Sequence, residues 1–161
     1  MLPVVAAAVA AALFGHAFVR LRARGRTDLA GWDRAALFAA GLAVAHARER
    51  RQFGQPIAKF QAVQFQLADM ATEIEAGRAL VYRAAWLKDR GRPFALAAAQ
   101  AKLYTGELSN RAVNAALQIH GGYGFMDEFA ISRLYRDQKI LEIGEGTNEV
   151  QRMVIAKHLG L

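Results

Sequence analysis

Glu145 is the residue whose surroundings in this sequence most directly indicate chemistry. It lies between Gly144 and Gly146 in the stretch KILEIGEGTNEVQR. Glycines on both sides remove the Cβ atoms that would keep a ligand away from a carboxylate, and a carboxylate placed in this way can act as a general base. A loop glutamate just before a helix is also favoured by the helix dipole alone. The local pattern therefore leaves two interpretations open, a reactive carboxylate and a solvated loop residue.

Two other loops carry residue types that bind phosphate. Arg50 precedes the break QFGQP, and a guanidinium matches phosphate geometry and stays protonated. The stretch QIHGGYGF contains Gly121 and Gly122, whose bare backbones let N–H groups approach a phosphate or sugar closely. Each loop also has a purely structural interpretation, with Arg50 as a charged helix end and the glycines as a helix stop.

Apolar residues recur at helical spacing through most of the chain, and turn residues separate the recurring segments. Residues 33–50 predict a helix that Asp33 caps, and Gly54 and Pro56 break the chain after it. A longer apolar stripe then predicts a helix of about eight turns, which Gly91 and Pro93 end. Its members are Phe60, Val63, Leu67, Met70, Ile74, Gly77, Val81 and Ala84.

Three further helices are predicted toward the C-terminus. They cover about residues 94–120, residues 128–139 and a last segment that begins near Thr147 or Asn148. Asn148 and Gln151 are spaced as in a capping box. No alternating β pattern of useful length occurs. Four principal helices joined by short loops predict an all-α fold, a four-helix up-and-down bundle.

The first thirty residues differ from the rest. An alanine-rich apolar run ends at Val19 and is followed by alternating arginines from Arg20 to Arg26. The run approaches the length of a membrane span, but its alanines and His16 weaken insertion. A signal peptide would carry its basic residues before the run. We favour an alanine-rich helix or a misassigned start over a weak membrane anchor, and divide the chain into an atypical segment, 1–30, and a helical domain, 31–161.

The charge distribution argues against nucleic-acid binding. Residues 1–51 hold eight arginines and three acidic residues, whereas residues 52–161 hold thirteen basic and eleven acidic residues. The body of the chain is nearly balanced, and no aromatic residues alternate with the arginines to stack on bases. The chain has no cysteine, which excludes disulfides and thiolate chemistry. Its four histidines lack metal-ligand spacing, so we expect no metal site. The absence of cysteine is compatible with a reducing compartment, and we expect a cytoplasmic protein.

Three motifs taken together resemble the C-terminal helical domain of acyl-CoA dehydrogenases, flavoenzymes that desaturate acyl-CoA thioesters. They are ARERRQFGQPIAKFQAVQFQLADM, QIHGGYGF and LYRDQKILEIGEGTNEVQR, in the family's order and spacing. The resemblance covers about residues 35–161 and leaves residues 1–30 outside it. The N-terminal helical domain and the middle β-domain of the family have no counterpart in this sequence.

The resemblance implies a role for each motif. Glu145 would be the base that removes the α-proton of the thioester while the β-hydride passes to flavin N5. Arg50 would bind the pyrophosphate of FAD, and Gly146 would let the thioester approach. The QIHGGYG loop would contact the adenine dinucleotide end of an FAD held by a neighbouring subunit. The implied FAD-binding residues are Arg50, Phe53, Gln61, Gln118, Gly121, Gly122, Thr147, Asn148 and Glu149.

The resemblance also implies partners. These are an acyl-CoA substrate, an electron-transfer flavoprotein or similar acceptor, and further copies of the chain in a homodimer or homotetramer, or a homologue that carries the β-domain. Many short- and medium-chain members place a tyrosine before the base, where this chain has Gly144, so the acyl chain length stays open. Two alternatives to an active dehydrogenase are a non-catalytic subunit that binds FAD or acyl-CoA and a truncated, inactive homologue.

Overall fold

The computed structural model describes residues 34–161. Segment 1–30 and the predicted cap Asp33 lie outside the described residues. The described chain is helical except for one short hairpin and the connecting loops. Its α-helices are α1 (Arg34–Glu49), α2 (Gln61–Asp89), α3 (Ala95–His120), α4 (Gly122–Phe125), α5 (Ala130–Asp137), α6 (Ile140–Ile143) and α7 (Asn148–His158), with a 3-10 turn at Ile57–Lys59 before α2.

Helix α3 is the central element of the fold. It packs against α1, α2 and α7, and it also contacts the three short helices α4, α5 and α6. Many of its buried side chains are small, so that neighbouring helix axes can come close to it. The small buried residues of α3 are Ala97, Ala99, Ala101, Thr105, Gly106, Ser109, Ala112 and Ala116. Helix α1 presents a matching face of fully buried alanines, Ala36, Ala39, Ala43 and Ala47.

Helix α2 runs antiparallel to α3. Arg111 of α3 pairs with Glu73 in the first half of α2 at 3.0 Å, while Gln100, earlier in α3, lies 3.4 Å from Arg83 in the second half of α2. The predicted stripe is confirmed on the buried side of α2, where Met70, Ile74, Gly77, Val81 and Ala84 are buried. The helix has 29 residues, which is the expected length of eight turns.

The all-α bundle predicted from the sequence is confirmed, with one difference in its fourth segment. After α3 the chain returns along it through α5 and α6, so that Gln138 bonds to Asn110 and Leu141 lies beside Gly106. This returning segment is broken into short helices. Helix α7 then runs parallel to α3, with Asn148 bonded to Lys102 and Arg152 paired with Glu107.

A short hairpin connects α1 to α2. Strands β1 (Arg51–Gln52) and β2 (Gln55–Pro56) pair antiparallel, with Gln52 opposite Gln55. Phe53 and Gly54 between them have φ values of 50° and 82°, the positive φ pair of a two-residue type I′ turn. The sequence predicted a chain break here but no strand, because two residues per strand are too few to show an alternating pattern.

The cap of the last helix differs from the prediction. The sequence indicated a capping box from Asn148 to Gln151, but the N-cap residue is Thr147. Its hydroxyl accepts a hydrogen bond from the backbone N–H of Val150 at 3.3 Å. Asn148 is the first helical residue and is only 5% exposed. Its side chain is therefore directed into the fold and does not cap the helix.

Among residues 34–161, no helix combines the length and the apolar character that a membrane crossing requires. The anchor interpretation of segment 1–30 stays untested, because that segment lies outside the described residues.

A close backbone approach to α3 at Gly106 predicts a sensitive position. A Cβ atom on Gly106 would lie 3.0 Å from the Leu141 carbonyl oxygen and 3.3 Å from Asn148 Oδ1. Alanine in place of glycine stabilises a helix by about 1 kcal/mol. Overpacking lowers the free energy of unfolding by about 1–3 kcal/mol. We expect Gly106→Ala to lower the free energy of unfolding in a urea titration. Asn114→Ala on the exposed face of α3 is the control and should not lower it. Unchanged stability in Gly106→Ala would contradict this packing.

Candidate functional site

Glu145 lies in the short loop between α6 and α7 and is exposed. Its φ is +55°, a left-handed conformation that a residue with a side chain adopts at a cost of order 1–2 kcal/mol. The loop is held from α7, since Gln151 Nε2 donates to the carbonyl oxygens of Gly146 at 3.2 Å and of Glu145 at 3.4 Å. The carboxylate is thus presented to solvent by a backbone that its surroundings fix.

The two glycines beside Glu145 also have local structural reasons. Gly146 has a φ of +90°, and a Cβ atom there would lie 2.9 Å from Gln151 Nε2. A Cβ atom on Gly144 would lie 3.1 Å from the Ile140 carbonyl oxygen. The folding of the loop therefore requires small residues at both positions. The sequence predicted both glycines from the access of a ligand to Glu145, and that explanation stays a prediction.

The first turn of α7 follows the loop directly. Glu149 is exposed there, and hydrogen bonds from its own backbone N–H and from the Thr147 hydroxyl hold the pKa of its carboxyl below the usual range. Thr147 is half-buried. The structure thus brings Glu145, Gly146, Thr147 and Glu149 together at one end of the bundle.

Lys102 is a residue of this region that the sequence analysis missed. It is 8% exposed, and its ammonium donates to Asn148 Oδ1 at 3.0 Å and to the Glu142 carbonyl oxygen at 3.3 Å. Burial lowers the pKa of Lys102, and the nearby charges of Glu142, Glu149 and Glu145 oppose that effect. This lysine therefore ties α3 to both sides of the Glu145 loop. Asn148, predicted to contact FAD, has its side-chain oxygen engaged in this contact.

A chain of polar contacts extends from Lys102 along α3. Glu142 accepts from Asn110 Nδ2 at 3.0 Å and pairs with Lys139. Gln138 Nε2 donates to Asn110 Oδ1 at 3.0 Å. Burial opposes ionisation of Glu142, but its bonds from Lys139 and Asn110 hold the pKa of its carboxyl below the usual value. The segment that leads to Glu145 is thereby bonded to α3 at several points.

Arg50, Gly121 and Gly122 meet at the other end of the bundle. They line an open groove of about 530 Å³, together with His46, Gln52, Ile57, Ile119, His120, Tyr123 and Met126. The Arg50 guanidinium lies over the Tyr123 ring, 5.2 Å from its centroid. Cβ atoms on Gly121 and Gly122 would meet nothing within 4 Å, so both backbones face open space. The structure therefore brings three of the sequence-predicted phosphate-binding residues to one surface.

The remaining predicted FAD contacts lie near this end but do not line the groove. Phe53 at the tip of the hairpin is 90% exposed and touches Phe60 edge-on, with ring centroids 6.0 Å apart. Gln61 begins α2, Gln118 lies on the last turn of α3, and both are exposed. Phe53 thus holds a bulky aromatic ring in solvent from a left-handed turn position.

The Glu145 loop and the groove are far apart within one chain. Gly106 packs against the segment before Glu145, and His120 lines the groove. Fourteen helical residues separate these two positions, which corresponds to about 21 Å along α3 at 1.5 Å per residue. The described chain therefore presents two separate sets of candidate residues at opposite ends. Within the described residues, no group of His, Cys, Asp or Glu has the arrangement of a metal site.

Comparison with known proteins assigns the family. The sequence profile of the acyl-CoA dehydrogenase C-terminal domain matches residues 6–160. The chain belongs to the acyl-CoA dehydrogenase family. The match begins well before the stretch on which the sequence motifs lie and includes most of segment 1–30. The boundary predicted at residue 30 stays a prediction.

Two curated relatives show the extent of the similarity. A probable acyl-CoA dehydrogenase of Bacillus subtilis, YngJ, is 59% identical over 116 residues, which are 72% of this chain and 30% of the relative. The subunit CarC of a caffeyl-CoA reductase–Etf complex from Acetobacterium woodii is 48% identical over 114 residues, 71% of this chain and 30% of the relative. The chain thus spans about a third of the length of these proteins.

Two solved structures share the fold. The FAD complex of PigA superposes with a TM-score of 0.79 at 30% sequence identity, covering 83% of this chain and 35% of PigA. The crystal structure of an acyl-CoA dehydrogenase from Geobacillus kaustophilus superposes with a TM-score of 0.81 at 38% sequence identity, covering 83% of this chain and 35% of that one. The helical arrangement around α3 is therefore that of the acyl-CoA dehydrogenase C-terminal domain.

The contacts of Lys102 predict that it fixes the Glu145 loop. Lys102→Met keeps the apolar stem but leaves buried acceptors unpaired, which costs about 1–3 kcal/mol. We expect a lower free energy of unfolding and faster amide hydrogen exchange in residues 142–149, with partial recovery in Lys102→Arg. Lys157→Met, at an exposed position of α7, should change neither quantity. Unaltered exchange in Lys102→Met would contradict the anchoring role.

Proposed function

We propose that this chain is the C-terminal part of an FAD-dependent oxidoreductase that dehydrogenates an acyl-CoA thioester between Cα and Cβ, with Glu145 as the base. The observation that carries the proposal is the presentation of Glu145. An exposed carboxylate in a left-handed loop, bonded through Gln151 and anchored by a buried lysine, is typical of a functional site and costly in a merely connecting loop. Membership of the acyl-CoA dehydrogenase family supports the same assignment.

The chemistry of the proposed reaction suits this carboxylate. The α-proton of a thioester is weakly acidic, so its removal needs a positioned base together with stabilisation of the enolate oxygen. Glu145 would accept the proton, and its own backbone N–H would donate to the developing oxyanion. An apolar acyl chain that displaces water from the loop would desolvate the carboxylate and make it a stronger base. Bound FAD would supply the acceptor for the hydride that leaves the β-carbon.

The groove at the opposite end fits the phosphate-bearing part of FAD. Arg50 supplies a planar guanidinium for a pyrophosphate, and the open backbones of Gly121 and Gly122 allow close approach of an anion. No carboxylate is among the described residues that line the groove. Phe53, Gln61 and Gln118 are exposed around it and are proposed as further contacts. Thr147 and Glu149 are proposed to contact FAD beside Glu145.

The distance between the Glu145 loop and the groove that contains Arg50 supports an oligomer. Because about 21 Å of α3 lies between them, we propose that Glu145 and Arg50 of one chain serve two different FAD molecules. Each FAD would then be bound between two subunits, in a homodimer or homotetramer. The relative from the caffeyl-CoA reductase–Etf complex supports an electron-transfer flavoprotein as the acceptor. A homologue that carries the β-domain is the alternative partner of this chain.

The base assignment predicts a selective loss of chemistry. Glu145→Gln keeps the size and the backbone N–H but cannot accept a proton, so flavin reduction by acyl-CoA should fall by about 10²–10⁴ while FAD stays bound. Arg50→Ala should instead weaken FAD binding. The measurement is anaerobic bleaching of the flavin band with acyl-CoAs of graded length, for the chain alone and with a full-length homologue. Glu128→Gln, an exposed carboxylate on another loop, is the control. Undiminished bleaching in Glu145→Gln would contradict the assignment, and bound FAD that is never reduced would favour a non-catalytic subunit.

If Arg50 and Glu145 of one chain serve different FAD molecules, a variant that lacks one of these residues should complement a variant that lacks the other. Arg50→Ala and Glu145→Gln should each be inactive alone, yet a mixed dimer has one site in which both residues are intact. Random reassembly from equal amounts should restore about a quarter of the wild-type rate of flavin reduction, because half of the dimers are mixed and each has one of two sites intact. Mixed dimers without activity would place both residues in the same site.

A further inference from the structure

Two histidines form a stacked pair in the groove. His46 of α1 and His120 at the end of α3 have ring centroids 4.3 Å apart and an interplanar angle of 21°. Both rings line the groove beside Arg50. The Nδ1 atom of His120 lies 2.7 Å from the Ala116 carbonyl oxygen, so this nitrogen carries a hydrogen and donates it. The ring nitrogens of His46 have no hydrogen-bond partner among the described residues, which leaves them available to a ligand.

The charged groups around the pair are few. Arg50 faces it from the end of α1, and Tyr123 faces it from α4, with its ring edge-on to His46 at 6.0 Å. The hairpin contributes the uncharged Gln52, and within residues 34–161 no acidic side chain lines the groove. Burial, His120 and Arg50 together lower the pKa of His46 to about 4, and burial lowers the pKa of His120. At neutral pH the groove therefore holds two neutral rings beside one guanidinium.

We propose that His46 is a phosphate-binding residue of this groove, which takes up a proton from solvent as a pyrophosphate-bearing nucleotide enters and donates a hydrogen bond to a phosphate oxygen. The inference rests on the proposed function, since FAD is the nucleotide that the groove would bind. It adds to Arg50 a second cation that exists only in the complex.

The geometry favours His46 over His120 as the proton acceptor. Two imidazolium rings stacked at 4.3 Å would repel each other, so one proton at most is expected on the pair. His120 already uses Nδ1 for a backbone carbonyl, whereas neither ring nitrogen of His46 has a hydrogen-bond partner within residues 34–161. A phosphate beside the pair opposes the effect of Arg50 on the pKa of His46, because the anion favours the charged ring.

The proposal fixes the sign of a pH effect. The pKa of His46 is low in the free protein and higher in the complex, so binding takes up a proton at pH values between the two. Affinity for FAD is then greatest at low pH, falls by at most tenfold per pH unit as pH rises from the pKa of the free protein to that of the complex, and levels off above the latter. Arg50 keeps its charge over this range, so it contributes no such dependence.

The test combines FAD binding with direct observation of the histidines in the full chain. Side-chain ¹⁵N shifts report the protonation of each ring, and they are recorded at pH 6.0 with and without saturating FAD. We expect His46 to be neutral in the free protein and protonated in the complex, and the dissociation constant of FAD to rise severalfold from pH 6 to pH 8. In His46→Gln the dissociation constant should be about tenfold higher at pH 6 and nearly independent of pH.

Two variants serve as comparisons at constant ionic strength. His120→Gln should retain proton uptake on His46, and His158→Gln, on the exposed end of α7, should behave as the wild type. FAD that binds while His46 stays neutral overturns this inference alone, as does uptake that persists in His46→Gln. If FAD and ADP both fail to bind at every pH, the proposed function and this inference fall together.

Discussion

The close packing of small side chains around α3 is the constraint on which the rest of this structure depends. The alanine face of α1 is fully buried, and Gly106 admits the backbone of Leu141 to contact distance. Each alanine buries little apolar area, so the folding stability of the bundle depends on many close contacts along a long helix. The same closeness leaves little room for adjustment. Both candidate regions rest on this helix, the groove at its C-terminal end and the Glu145 segment along its first half at Lys102 and Gly106, and they inherit its rigidity.

Buried polar contacts are added to this packing where the Glu145 loop is held. A buried ammonium is costly unless it is well bonded, and Lys102 has two oxygen acceptors within 3.3 Å. Its acceptors lie on either side of Glu145, whose backbone is in an unfavourable region. A loop without such anchors would relax toward a common conformation and withdraw the carboxylate. The burial of Lys102 is thus coupled to the conformation of the loop that presents Glu145.

Sequence reasoning predicted the long helices because hydrophobic periodicity over 15–30 residues is a strong signal. It placed the last helix cap one residue late, since Thr147 and Asn148 are both good cap residues and only the buried contact with Lys102 decides between them. Lys102 itself was missed because a single lysine in an alanine-rich helix is ordinarily solvated. Its neighbours at i−3, i+3 and i+4 are small and buried, Ala99, Thr105 and Gly106, and this pattern was the available signal. The pairing of His46 with His120 joins residues 74 positions apart and could not be found without the fold.

The length of α3 finally decides which residues can serve one ligand. A helix is stiff along its axis, so the 26 residues of α3 hold the groove and the Glu145 loop at a fixed separation that no loop motion closes. A ligand that needs both a guanidinium for phosphate and a carboxylate for proton transfer must either span that distance on one chain or lie between two chains. The exposed ring of Phe53 and the open groove beside it favour the second arrangement, because a single chain leaves this apolar tip in water. In the proposed oligomer a neighbouring chain would complete each site and would cover the residues that a single chain leaves exposed.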